Sequence, residues 1–314
     1  MTQYLVILLD DTSTSFCHYS NPRTESRLIP LSTLKAGVLY AMKENLNVQF
    51  VYPAQPLPKE YEEVVESIDH VKIKPCSQVD GAGVVVADGI EALKGLEYKV
   101  GTAYALRTNR KTLFAQVSDL LPILYKVERL NIVITDIEEF SEDDFKTYAA
   151  VLQTLADEVE KVYVSGKSVQ LNLLTDRMML KEMNNCGAGD ASITLAPDGR
   201  FYVCPAFYLA PDGYSIGSLE EGLATKNPQL YRLDHAPLCR NCDAYQCRRC
   251  IWLNRKTTLE VNTPSHEQCV AAHLERNASR NLLQAIRKHG EFLPEMDDIK
   301  AISYLDPFDV RKEF

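Results

Sequence analysis

The sequence predicts an α/β protein in which parallel strands alternate with helices up to about residue 180, followed by a small cysteine-rich unit. Three observations carry this expectation. Short runs of Val, Ile and Leu alternate with helix-like stretches, the pattern of parallel strands covered on both faces. The alternation stops near Asn184. Seven of the nine cysteines then fall between Cys186 and Cys269.

Taken in order, strands are expected at 4–9, 48–52, 71–74, 84–87, 103–107, 131–135 and 169–174, each a short apolar run. Ser32 reads as the N-cap of a helix reaching residue 46. A second helix is expected over 112–127, kinked or split by Pro122. Ser141-Glu142-Asp143-Asp144 opens a long helix to 162, with acids where the helix dipole favours them. Further on, Pro197-Asp198-Gly199 separates two short apolar runs over 192–205 and signals a hairpin. A last helix is expected over 274–289, stopped by Gly290. Periodicity leaves open whether the strands form a βα-barrel or an open sheet.

Composition narrows the function. The formal net charge of -9 argues against a nucleic-acid backbone as partner, because that binding needs a basic face. Arg240, Arg248, Arg249, Arg255 and Lys256 do cluster, and read as a solvated surface around the cysteines. No apolar run approaches the roughly 20 residues of a membrane span. The apolar N-terminal run ends at Asp10 and reads as a buried strand rather than a signal peptide. A cytoplasmic protein is expected, where thiols stay reduced and so many cysteines point to metal.

Cys186 and Cys204 are followed by Cys239, Cys242, Cys247 and Cys250 in C-x2-C-x4-C-x2-C spacing, then by Cys269. Zinc also uses CxxC pairs, but usually with a dozen or more residues between them. Four intervening residues, and seven thiolates in all, favour iron–sulfur clusters. Trp252 is expected to pack over the metal site. His266 and His273 flank Cys269 and read as surface or supporting groups, and Cys17 and Cys76 as ordinary buried thiols.

This arrangement resembles the SPASM domain, which extends radical-SAM enzymes that modify peptides. The matching residues are Cys186, Gly199-Arg-Phe-Tyr-Val-Cys204, the four-cysteine run and Cys269. The run departs from the usual x2, x5, x3 spacing. The resemblance implies two [4Fe–4S] clusters, one held by Cys239, Cys242, Cys247 and Cys269, the other by Cys186, Cys204 and Cys250. A fourth position on the latter is left for Cys17, Cys76, Asn184, Asn185, a carboxylate, solvent or a peptide thiolate.

A SPASM domain follows a partial βα-barrel whose first loop carries CxxxCxxC. Here that loop holds Cys17 alone; in every register its partners are non-thiol residues such as Ser13, Ser20, Asn21 and Thr24. The turn after the second strand, Tyr52-Pro-Ala-Gln-Pro-Leu57, lacks the glycines that meet the methionine amine. A degenerate radical-SAM-like barrel over 1–182 is therefore expected, with a SPASM-like domain over 183–273 and a C-terminal helix and tail over 274–314. Together with Gln170–Leu180 and the string opening at Asn184, this is similar to the CXXX-repeat peptide maturase family.

The resemblance implies a component of peptide maturation that binds a precursor peptide and a radical-SAM partner, without using S-adenosylmethionine. Two other readings stand beside it: a stand-alone enzyme with an open iron site, and a zinc-stabilised adaptor.

Overall fold

A computed structural model describes residues 2–307; the end of the acidic tail lies outside them. Seven strands follow one another in the main sheet: β1 (Tyr4–Leu8), β2 (Asn47–Val51), β3 (His70–Pro75), β4 (Val84–Asp88), β5 (Ala103–Thr108), β6 (Arg129–Ile134) and β7 (Gln170–Leu171). Each pairs in parallel with the next. All seven expected strands are present. The last is cut to two residues because Leu171 exchanges hydrogen bonds with the Thr175 hydroxyl, which starts a helical turn.

The hairpin of β8 (Ser192–Leu195) and β9 (Phe201–Tyr202) is antiparallel, turning at Gly199 with φ +79°. It is not confined to the cysteine-rich segment. β8 pairs in parallel with β1, so the order runs β7-β6-β5-β4-β3-β2-β1-β8-β9 and the sheet is open at both edges. The site-bearing segment is thus built directly onto the first strand.

Helices α1 (Leu31–Glu44), α2 (Lys59–Val65), α3 (Ile90–Lys94), α4 (Arg110–Gln116), α5 (Glu142–Val164) and α6 (Thr175–Met179) fill the connections. Ser32 is not the cap of α1: Pro30, with ψ 134°, occupies that place and Ser32 lies inside the first turn. As expected, α5 opens on a reciprocal capping box between Ser141 and Asp144. The 112–127 stretch divides after Gln116, ahead of its proline. After α4 the chain tightens to a 3-10 turn through Pro122, which cannot donate to an α-helical ladder. Neither α2 nor α3 was expected from the sequence; both are too short to show a period.

Three more α-helices follow among the described residues: α7 (Pro205–Leu209), α8 (Ile251–Thr258) and α9 (His266–Arg287). The last begins before the expected residue 274, because Ser265 caps it by accepting from Gln268 N–H at 3.2 Å. Its apolar stripe, including Ala271, Leu282, Leu283 and Ile286, joins a core with Tyr148, Leu152 and Leu155 of α5. Each such side chain contributes about 1.5–3 kcal/mol on burial. That packing carries Cys269 and His273 to the cysteine-rich turns. No helix among the described residues is long and apolar enough to cross a membrane.

Glu275 of α9 is buried, 2.7 Å from the Tyr148 hydroxyl that donates to it and 3.3 Å from Gln246 Nε2. Burial pushes its carboxyl up to about 7, opposed by those hydrogen bonds. Between its ordinary pKa of 4.5 and 7, the unfolded chain releases the proton while the folded chain keeps it. Stability attributable to this group therefore falls as pH rises through that window, by roughly 3 kcal/mol. Glu275→Gln is expected to flatten the Tm profile between pH 5 and 7 and to raise Tm above pH 7; thermal melts across that range check it.

Candidate metal centres

Residues 236–250 form a train of tight turns. Cys239 N–H donates to the Ala236 carbonyl at 3.2 Å, Cys242 N–H to Cys239 at 3.1 Å and Cys247 N–H to Ala244 at 2.9 Å. Asp243, inside this train, is gripped by the fully buried Arg276 of α9 at 2.8 and 2.6 Å and by Arg177 of α6 at 3.2 Å. A bidentate guanidinium–carboxylate pair fixes orientation as well as distance. The train is thereby clamped to both the last helix and the sheet side of the molecule.

Two cavities result. One, of about 140 Å³, is lined by Cys239, Cys242, Cys247 and Cys269 together with Arg249 and His273. The other, of about 320 Å³, is lined by Cys186, Cys204 and Cys250, by Asn184, Asn185 and Trp252, and by Cys17 and His18 from the loop after β1. Four of the seven cysteines line the first cavity, and the other three line the second beside Cys17. Both spaces exceed the roughly 10–15 Å³ that one water needs. Among the described residues, no group of three or more His, Cys, Asp or Glu side chains is drawn in around the position of a single ion.

The residues present suit a sulfur-rich anionic group. Backbone N–H groups already point at the sulfurs: Ala244 to Cys242 at 3.4 Å, Leu253 to Cys250 at 3.5 Å, Ala206 to Cys204 and Arg249 to Cys247. Such donors tune cluster potentials. Arg249 lies almost wholly buried, and its Nε and Nη1 have no partner among the described residues. Only Nη2 is used, donating to the Tyr231 carbonyl. The cation lies within electrostatic reach of Cys239, Cys247 and Cys186, members of both sets. A buried guanidinium with two unused donors is costly unless negative charge faces it.

Burial raises the thiols of Cys239 to about 11 and of Cys247 and Cys250 to about 12. Cys17, Cys204, Cys242 and Cys269 shift upward for the same reason. Without a bound metal these sulfurs hold their protons; a metal displaces them and makes the thiolates that ligate it.

His273 stands inside the smaller cavity. Its Nδ1 meets the Leu305 carbonyl, which places the neutral ring's proton there and turns Nε2 toward Cys242 Sγ at 3.6 Å. His266 turns away and pairs with Asp306 at 2.5 Å. Trp252 packs edge-on against Phe207, 5.6 Å between centroids, and lines the larger cavity as expected. The basic cluster is not a solvated surface throughout. Arg249 is buried, Arg248 pairs with Asp176 at 3.4 Å, and Arg255 with Asp212 at 2.9 Å.

Cys17, read from the sequence as an ordinary thiol and as one of several candidates for the fourth position, lines the larger cavity. It sits in the loop after β1, and Arg107 at the end of β5 pins that loop. The guanidinium donates to the carbonyls of Cys17 at 3.0 Å and Tyr19 at 2.7 Å, to the Ser20 hydroxyl at 3.2 Å, and to Asp88. Nothing in the spacing of one isolated cysteine marks this approach. Cys76 stays elsewhere, following β3 and packed against the α5–α9 core.

Fold and site together are a sequentially ordered parallel sheet extended by a cysteine-rich segment. Native anSMEcpe, an anaerobic sulfatase-maturating enzyme with bound AdoMet and Cp18Cys peptide, superposes with a TM-score of 0.64 over 91% of this chain and 99% of that one, at 13% identity. The hexahistidine-tagged form of anSMEcpe with bound AdoMet gives 0.63 over 91% and 98%, also at 13% identity. At this identity the likeness shows the fold. No family model and no curated protein matches the sequence.

Replacing Arg249 by Met removes the buried cation while keeping much of the volume. Loss of positive charge disfavours the more negative, reduced state of a nearby redox group. Arg249→Met is expected to lower the midpoint potential of the metal-loaded protein by tens of millivolts, where about 59 mV is tenfold for one electron. Redox titration monitored by paramagnetic resonance measures it.

Proposed function

We propose that this chain is an iron–sulfur component of peptide maturation. It binds a ribosomally made, cysteine-repeat precursor peptide and acts with a radical-SAM partner, without cleaving S-adenosylmethionine itself. The observation that carries this reading is the pair of cysteine-lined cavities, the smaller lined by buried Arg249 whose charge also reaches Cys186 of the larger, next to a first loop with a single cysteine.

Cys239, Cys242, Cys247 and Cys269 hold one [4Fe–4S] cluster, and Cys186, Cys204 and Cys250 contribute to the other. When bound, such clusters supply one-electron transfer. The chain's own residues exclude water and set the field: Trp252, packed against Phe207, walls the larger site, and Arg249 supplies the shared positive charge. The peptide enters the reading by analogy with anSMEcpe, which is described with a bound peptide.

Loss of the co-substrate site is supported by what fills the ends of β1, β2 and β5. Ser13 Oγ donates to the Val51 carbonyl at 2.9 Å and Thr14 N–H to the Tyr52 carbonyl at 2.9 Å, so the first loop uses the backbone at the end of β2. Tyr52 is fully buried, its hydroxyl 2.9 Å from Glu62 and its ring 4.6 Å from Lys74 Nζ. Arg107 fills the end of β5.

Anaerobic reconstitution is expected to load roughly eight irons and eight sulfides per chain. One zinc with no sulfide overturns the cluster reading. The reduced protein alone is expected to form no 5′-deoxyadenosine from S-adenosylmethionine, and a partner radical-SAM enzyme to be needed for change in the precursor peptide. Formation of 5′-deoxyadenosine by this chain alone overturns the second half.

A further inference from the structure

We propose that Cys17, from the loop after β1, is the fourth thiolate of the cluster held by Cys186, Cys204 and Cys250. This inference rests on the iron–sulfur reading and gives the larger site a complete set of protein ligands. It also assigns the only cysteine of the first barrel loop to a structural and redox role in the neighbouring segment.

The geometry supplies the argument. Cys17 lines the same cavity as the other three cysteines. Its thiol lies within electrostatic reach of Cys186 and Cys250, and Cys204 lies within reach of all three of the others. The four sulfurs arrive from four separate segments: the first loop, the turn before β8, the end of β9 and the N-terminus of α8. Convergence of four distant cysteines on one cavity is what a cubane with four iron corners requires.

Position is enforced before any metal binds. Arg107 holds the carbonyls on either side of His18, and His18 Nδ1 itself meets the Ile134 carbonyl at 2.9 Å. Upstream, Asp10 Oδ1 accepts from Thr12 N–H at 2.7 Å and its other oxygen from Ser26 at 2.8 Å. Asp11, also upstream, pairs with Arg23 and Arg27 downstream, both at 2.8 Å, and accepts from the Tyr208 hydroxyl. A loop tied at so many points presents its cysteine in one place, which lowers the ordering cost of ligation.

The competing occupants of the fourth corner are weaker. Asn185 Oδ1 already accepts from Gly187 N–H at 2.8 Å. Asn184 offers a neutral amide, a poor donor to iron beside a thiolate. With Cys17 in place no corner remains for a peptide thiolate, so peptide recognition falls to other surfaces.

The experiment compares anaerobically reconstituted wild type with Cys17→Ala, Cys17→Ser and, as a control, Cys76→Ala. Iron and sulfide analysis and paramagnetic resonance are recorded before and after adding 2-mercaptoethanol. Wild type and Cys76→Ala are expected to hold roughly eight irons and to ignore the thiol. Cys17→Ala is expected to lose about one iron, or to show a signal that shifts with 2-mercaptoethanol, while the other cluster's signal persists and reports a folded chain. A Cys17→Ala protein indistinguishable from Cys76→Ala overturns the proposal.

Should the Cys17 variants not fold, iodoacetamide labelling of the wild type decides. In the loaded protein Cys17 is expected to stay unmodified and to react once iron is removed; equal labelling in both states overturns the assignment. Failure of wild type to bind iron and sulfide at all overturns the cluster reading itself, a different result from eight irons that do not depend on Cys17.

Discussion

A thiolate buried without compensation is expensive, and the walls of both cavities are organised around that cost. Desolvation drives the enclosed thiols toward their protonated forms. The protein answers with donors rather than with acids or bases. Backbone N–H groups two or three residues downstream point at the sulfurs of Cys204, Cys242, Cys247 and Cys250. Arg249 adds a whole positive charge between the two groups, although its backbone must sit at φ +43° to put it there. A non-glycine residue in that conformation carries strain, and the charge it delivers supplies the reason for keeping it.

The rest of the fold delivers side chains to that charged centre. Extension of the sheet past β1 by β8 and β9 places Cys186 and Cys204 beside the first strand. Packing of α9 on α5 brings Cys269 and His273 in from the other side. Two ion networks join these deliveries: Arg129, Asp176 and Arg248 on one, Arg177, Asp243 and Arg276 on the other. Partly buried and shared between several partners, they are screened less than exposed pairs would be. The cysteine-rich segment is consequently a continuation of the sheet rather than an appendage.

The first loop is held in place by the elements around it. In an architecture shared with an AdoMet-binding enzyme, this loop holds one cysteine, and its backbone carbonyls are taken up by Arg107. Tyr52 fills the end of β2 with an aromatic ring packed under Lys74. The sheet behind them keeps its full sequential order, because its stability comes from the apolar faces of β1 to β6 and not from the loops.

Strand identity was legible because each strand is a short apolar run, and all seven expected positions became strands. The grouping of the seven cysteines into four and three came from the resemblance to the SPASM domain and not from spacing, since Cys247 and Cys250, a CxxC pair, line different cavities. Helix starts at Pro30 and Ser265 were not legible, because capping depends on the backbone angles of one or two residues. Nor was the burial of Arg249: a charge in a basic run looks solvated until the sulfurs around it are in place. The position of Cys17 was the least readable of all. One cysteine, separated by 169 residues from its nearest companion in the cavity, has no spacing to interpret. Sequence alone determined which elements form and which local turns carry sulfur. Only the tertiary structure decided which distant loop meets them, because that meeting depends on the order of strands in the sheet and on one buried arginine at the end of β5.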